Sequence, residues 1–166
     1  QLKNQAKRFK DILIQDSSII RLRQNLAGDY PAARSRDNAA GLKIHAVYSA
    51  RAHSVKTIEI TGERVHDSKM LRIGREVKNV LIINDLGYYS LKVFSRINLY
   101  RGFFVSRVKT NAKPEVVSVV SGQISKELKK SINDKNYPNL SDFLEHVPKK
   151  GIYDLVCSFE IEKAQN

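Results

Sequence analysis

A single cysteine, Cys157, stands in this 166-residue chain. That excludes an internal disulfide framework and makes a reducing compartment the default. The cysteine lies in the apolar run "YDLVCSFEI" and reads as a small buried hydrophobe rather than a nucleophile. The histidines, His45, His53, His66 and His146, show no paired zinc-ligand spacing, so no zinc site is expected. A GxxxxGK[ST] motif is lacking, which removes P-loop chemistry. No apolar window approaches the roughly 18 residues a membrane-crossing helix needs. The opening "QLKNQAKRFKD" is polar and basic, unlike a secretory leader. There is no internal repeat and no low-complexity tract. The chain begins on Gln1 rather than on methionine, the pattern expected of a fragment or a trimmed chain.

What is present is positive charge. Twenty-nine Lys and Arg face 17 Asp and Glu, a net charge of +12. On a chain this size that points to a polyanionic partner, most commonly nucleic acid; the blander reading is a merely soluble basic protein. The excess is spread along the chain rather than gathered in one tail, which favours a folded basic face. With 42% hydrophobic residues, the chain can bury a real core.

The apolar pattern gives an element order. "DILIQDSSIIRL" (11–22), "LKIHAVYSA" (42–50) and "SVKTIEITG" (54–62) read as strands, the last two joined as a hairpin by "RAH". "HDSKMLRIGREV" (66–77) spaces Met70, Leu71, Ile73 and Val77 as a helix would, with Asp67 or Ser68 as cap. "NVLIIND" (79–85) is a strand buried on both faces that ends on an acid. A helix over 90–100, opened by Ser90, and a strand over 102–110 follow. Three strands, then a helix, a strand, a helix and a strand imply parallel pairing in the second half. This is the order of a ribonuclease H-like α/β fold, in which a three-strand antiparallel meander leads into βαβ units. Residues 1–113 would form that core. After Pro114 the character changes: β-branched residues, a basic helix-like piece, a short helix "SDFLEHV" capped by Ser141, and a strand in "GIYDLVCSFEIEK". Residues 114–166 therefore read as an appended or inserted α+β segment.

Two carboxylates stand out. Ile12, Ile14 and Asp16 share one face of the first strand, so Asp16 is expected mid-strand and partly buried, where a carboxylate needs a cation, several N–H donors or a metal. Asp85 raises the same question at the C-terminal end of a parallel strand, where open α/β sheets bind ligands. The predicted order sets the first and fourth strands side by side and brings Asp16 and Asp85 together. Hard oxygen ligands of this kind suit Mg²⁺ or Mn²⁺, and a pair of such ions is a device for in-line attack on a phosphodiester. The competing reading is ordinary turn chemistry, with Asp85 capping the next helix. "HD" at 66–67 could contribute to a site, but an N-cap is the blander reading of Asp67. Arg34, Arg36 and Lys43 around a loop, and Arg107 and Lys109 on a strand, are candidates for phosphate contact, against a solvated basic face. Tyr88 and Tyr89 could stack on bases, with packing at a helix start as the alternative.

These pieces together resemble the DDE transposases of prokaryotic insertion sequences, most closely the insertion-sequence-four type. The resemblance lies in Asp16 of "QDSS", in Lys43 and His45 of a K-x-H strand, and in Thr61, Gly62, His66 and Asp67 of a TxG…HD segment. It continues in Asp85, Gly87 and Tyr88 of a D-x-G-[YF] turn, and in Phe104, Val105, Arg107 and Lys109 of an F-[IV]-x-R-x-K strand. It covers roughly residues 9 to 114, and its strength lies in five pieces in order. The resemblance implies a ribonuclease H-like domain that binds Mg²⁺ or Mn²⁺ through a D, D, E triad. Such a domain nicks DNA at transposon terminal inverted repeats and joins the freed 3′-hydroxyl to target DNA. It implies Asp16 and Asp85 as the two aspartates, Arg107 and Lys109 as DNA-positioning residues, a homodimer acting on two ends, and a prokaryotic cytoplasm with the nucleoid as location.

The third acid does not carry over. In that group it lies in a Y-x-x-R-x-x-x-E helix, whereas after Tyr153 this chain has Val156 in place of Arg, in a segment that reads as a strand. Glu145, Glu160 and Glu162 do not fit the role. The expectation is a chain that ends in or just after an insertion subdomain and is inactive alone. The alternative is a non-catalytic DNA-binding domain that keeps the fold and the charge.

Overall fold

The computed structural model describes residues 6–33, 39–109 and 111–159, and its longest strand, β1 (Asp11–Arg21), is the axis of the first of two units. β2 (Gly41–Ser49) pairs antiparallel with β1, and β3 (Ser54–Gly62) antiparallel with β2. β4 (Val80–Asn84) then lies parallel on the other side of β1, and β5 (Phe103–Val105) parallel on β4. The result is a mixed five-strand sheet of order β3-β2-β1-β4-β5 in an α/β unit, compatible with a ribonuclease H-like fold. Helix α1 (Leu91–Leu99) crosses between β4 and β5; the Ser90 hydroxyl accepts the Val93 N–H at 3.4 Å as its N-cap. Its apolar stripe buries Phe94 and Ile97, and the Phe94 ring stacks on Phe104 of β5 at 4.1 Å.

One stretch differs from expectation. Residues 66–77 form no α-helix but two 3-10 turns, Asp67–Met70 and Arg75–Val77, separated by extended backbone at Leu71 and Gly74. β-branched Ile73 and Gly74 are weak helix formers. Laid out extended, the segment spreads Met70, Leu71, Ile73 and Val77 over Leu13, Val80 and Ile82 of the sheet, and Ile73 and Val77 are buried there.

Strand alternation divides the sheet into two faces. One carries Leu13, Gln15 and Ser17 of β1, Lys43, His45 and Ser49 of β2, and Val80, Ile82 and Asn84 of β4. The 3-10 strap and α1 lie on this face. The other face is open: Ile14, Ile20, Ile58, Ile60 and Val105 are exposed. Asp16 belongs to it by register and is exposed, which corrects the expectation of a partly buried carboxylate.

The second unit begins at Lys109. β6 (Glu115–Ser121) and β7 (Asp154–Ser158) pair antiparallel, and α2 (Lys126–Asn133) and α3 (Leu140–Glu145) complete it. Val116, Leu128, Ile132, Phe143 and Val147 make its core. Asn139, not Ser141, caps α3, its side-chain oxygen accepting the N–H of Ser141 and Asp142. Burial pushes the half-buried Cys157 thiol up, which suits packing rather than nucleophilic chemistry. Among the described residues, no helix is long and apolar enough to cross a membrane.

Candidate functional site

The parallel register of β1 and β4 ends at Gln15 opposite Asn84. The next residue of each segment is an acid, Asp16 within β1 and Asp85 just beyond β4, 69 positions apart in sequence. The Asp16 carboxylate accepts the Ser17 N–H at 2.8 Å. Asp85 leads into a 3-10 turn over Leu86–Tyr88 but makes no side-chain cap bond, and the α1 cap is Ser90. Helix capping therefore does not account for Asp85. Its side chain is 61% exposed, and the Arg107 guanidinium, itself 73% exposed, lies 3.5 Å from Oδ1.

Behind this pair, on the covered face, lies a hydrogen-bonded cluster. Lys43 and His45 point to the same side of β2 because they are two residues apart. The Lys43 ammonium is turned inward and donates to the Val65 carbonyl at 3.0 Å and to Asp67 Oδ1 at 2.9 Å. Expected to face a phosphate, Lys43 is instead buried and already engaged. The Ser17 hydroxyl reaches the same Asp67 oxygen at 3.3 Å. His45 is held by the Tyr88 hydroxyl on Nδ1 (3.2 Å) and by Thr61 on Nε2 (3.0 Å). Burial lowers the imidazole pKa; Asp67 and Glu59 oppose this, Lys43 reinforces it, and the ring titrates below its ordinary value. Tyr88 is 1% exposed and burial pushes its hydroxyl up to about 12, so it stays a donor. Both tyrosines are buried, as the packing reading has it. A cleft of about 330 Å³ opens beside the cluster, lined by Ser17, Lys43, His66, Asp67 and Gly87.

Asp67 is the residue that sequence reasoning passed over as a cap. The cap of its turn is His66, and the Asp67 carboxylate serves Lys43 and Ser17 instead. The remaining candidates fall elsewhere: Arg34 and Arg36, like Glu160 and Glu162, lie outside the described residues, Lys109 opens the second unit, and Glu145 ends α3 there, exposed. Among the described residues, no group of three or more His, Cys, Asp or Glu could hold a metal ion. Two carboxylates are as many as an ion such as Mg²⁺ takes from protein where water and substrate phosphates complete its shell. The positive charge belongs to the same unit: residues 1–108 hold 20 Lys and Arg against 9 Asp and Glu, and residues 109–166 hold 9 against 8.

A family described as "Transposase DDE domain" matches residues 7–154. The transposase for insertion sequence element IS231B of Bacillus thuringiensis subsp. berliner is 27% identical over 108 residues, 62% of this chain. That for insertion sequence element IS231E of Bacillus thuringiensis subsp. finitimus is 28% identical over 110 residues, again 62% of this chain. The chain spans only 22% of the length of each of these relatives.

Proposed function

We propose that this chain, which belongs to the DDE transposase family, supplies the metal-holding aspartates of a DNA-cleaving and strand-transferring site on a ribonuclease H-like sheet. The observation that supports the reading is the parallel register of β1 and β4, which runs to Gln15 opposite Asn84, each followed directly by an aspartate. Neighbouring carboxylates repel each other, and an opposite charge between them relieves this. When bound, Mg²⁺ or Mn²⁺ supplies a Lewis acid and stabilises charge on phosphodiester oxygens. The chain's own residues do the positioning. Ser17 N–H fixes the Asp16 carboxylate, the Asp85 side chain is left uncapped and mostly in solvent, and Arg107 brings a guanidinium to Asp85, from which it can pass to a phosphate. The surplus of 11 positive charges on residues 1–108 draws DNA in.

In this reading the partners are transposon terminal inverted repeats and target DNA, with a homodimer acting on two ends in the complete protein, in a prokaryotic cytoplasm at the nucleoid. Because no third acid joins the pair among the described residues, the chain holds metal weakly and by itself binds DNA rather than cutting it. That same observation favours the second reading, a DNA-binding domain with no catalysis. Mn²⁺ titration separates the two. Asp16→Ala and Asp85→Ala are each expected to abolish the site-specific binding of wild type. If both variants bind Mn²⁺ like wild type, the carboxylate site is wrong, and salt-dependent DNA binding indifferent to either acid is what remains.

A further inference from the structure

Asp67 touches both segments that carry the paired aspartates. Its Oδ1 accepts the hydroxyl of Ser17, the residue whose N–H holds the Asp16 carboxylate at 2.8 Å. Its Oδ2 faces Gly87, two residues after Asp85, so closely that a Cβ there would lie 2.6 Å from it. Only glycine lets the turn after β4 come down on this carboxylate. Tyr88, next in that turn, closes it through its N–H on the Asp85 carbonyl at 3.0 Å, and its hydroxyl is fixed by His45, whose ring lies 3.8 Å from Asp67. The Lys43 ammonium, anchored on the Val65 carbonyl at 3.0 Å, donates to Asp67 Oδ1 at 2.9 Å and holds it in place.

We infer that Asp67 is a positioning residue: one carboxylate that ties the Asp16 strand to the Asp85 turn and so sets the spacing of the two metal-holding acids. The inference rests on the metal reading of Asp16 and Asp85. Asp67 is not a third ligand, since it forms no metal-competent group with them. It acts through Ser17 and Gly87. Side chains that orient metal ligands typically account for about 10- to 100-fold in metal affinity, and the lower end applies here because Ser17 relays the constraint through a single bond.

The test is the affinity of the chain for Mn²⁺ alone, read from the electron paramagnetic resonance signal of free Mn²⁺ well below the melting temperature. Asp67→Asn is expected to weaken binding about 10-fold, and Ser17→Ala to weaken it less, in the same direction. Ile97→Val, which trims the fully buried core of the same unit, lowers the melting temperature but leaves Mn²⁺ affinity unchanged, which a merely structural role of Asp67 would also do. If Asp67→Asn and Ser17→Ala bind Mn²⁺ like wild type while Asp16→Ala and Asp85→Ala lose it, Asp67 positions nothing and the metal reading survives. If the Asp16 and Asp85 variants bind like wild type, both ideas fall. Should Asp67→Asn not fold, Ser17→Ala decides, and wild-type affinity in it overturns the inference.

Discussion

Arg107→Ala makes opposite demands on metal and DNA. Its guanidinium lies 3.5 Å from Asp85 Oδ1, with both side chains mostly in solvent. An exposed pair of this kind contributes about 0.2–1 kcal/mol. A cation bound at Asp85 must displace that partner or share the acid with it. Removing the guanidinium therefore tightens Mn²⁺ binding by about 1.5- to 5-fold, the same energy expressed as an affinity ratio. Screening shortens the reach of exposed charges to about 3 Å at 1 M salt, so the gain should vanish there. DNA responds in the other direction. If Arg107 meets one phosphate, its loss weakens binding and reduces the slope of log K against log salt by about 0.9. Arg107→Lys keeps the charge and should keep wild-type values for metal. Titrations of Mn²⁺ and of a DNA duplex at low and high salt read all of this. The reasoning is refuted if Arg107→Ala loosens Mn²⁺ as Asp85→Ala does, because the guanidinium would then be holding the acid in its working position.

Two further predictions concern the frame under the site. Buried Ser49 donates its hydroxyl to Asp11 at 2.8 Å and accepts the Ala52 N–H at 3.0 Å. Burial pushes the Asp11 carboxyl up, but Ser49, the Ile12 N–H and Lys56 outweigh it and hold the group below its ordinary 3.8. Such a group stabilises the fold above the unfolded value and ceases to do so as pH falls through the folded one. Ser49→Ala should thus cost about 1–3 kcal/mol at pH 7 and less at pH 2, by denaturant melts; a loss independent of pH would break the link to Asp11. Asn84 is buried with neither side-chain polar atom hydrogen-bonded, an arrangement that costs about 1–3 kcal/mol. Asn84→Leu, of similar shape, should raise stability by about 1 kcal/mol and the melting temperature by about 2–4 °C; a fall would mean that the amide holds a buried water.

The parts of the fold that depend on short-range pattern were readable. β-branched runs mark β1 to β4, Ser90 marks the start of α1, and the alternation of strand and helix after β3 forces β4 and β5 parallel. From that order alone the strand that carries Asp16 and the strand that leads to Asp85 become neighbours. What could not be read depends on which face is covered and by what. The spacing Leu71, Ile73, Val77 satisfies a helical stripe and an extended strap equally, and the sheet beneath decided for the strap. Asp16 was expected to be partly buried because it shares a mid-strand face with Ile12 and Ile14, yet that face is the open one. Arg107 meets Asp85 only because β5 lies beside β4, which no local signal reports.

Asp67 was nearer to being legible. Lys43 and His45 alternate on one strand face, so a cation and an imidazole are carried to the same side of β2. If that side is covered, the ammonium must be neutralised. Asp85 and Asp16 fall on the opposite parity of their strands, so neither serves that side. Glu59 does share it, directly across from His45 on β3, but it is spent on Arg72; Glu63 is spent on Arg21. Asp67, arriving after the β3 turn, is the acid left for Lys43, and a carboxylate drawn inward by a buried lysine is no longer free to cap a helix. The inward pull on Asp67 adds to the apolar sheet beneath Ile73 and Val77 in setting the path of residues 66–77. Neutralising Lys43 pulls Asp67 under the sheet's end, and from there its second oxygen reaches the turn that follows Asp85.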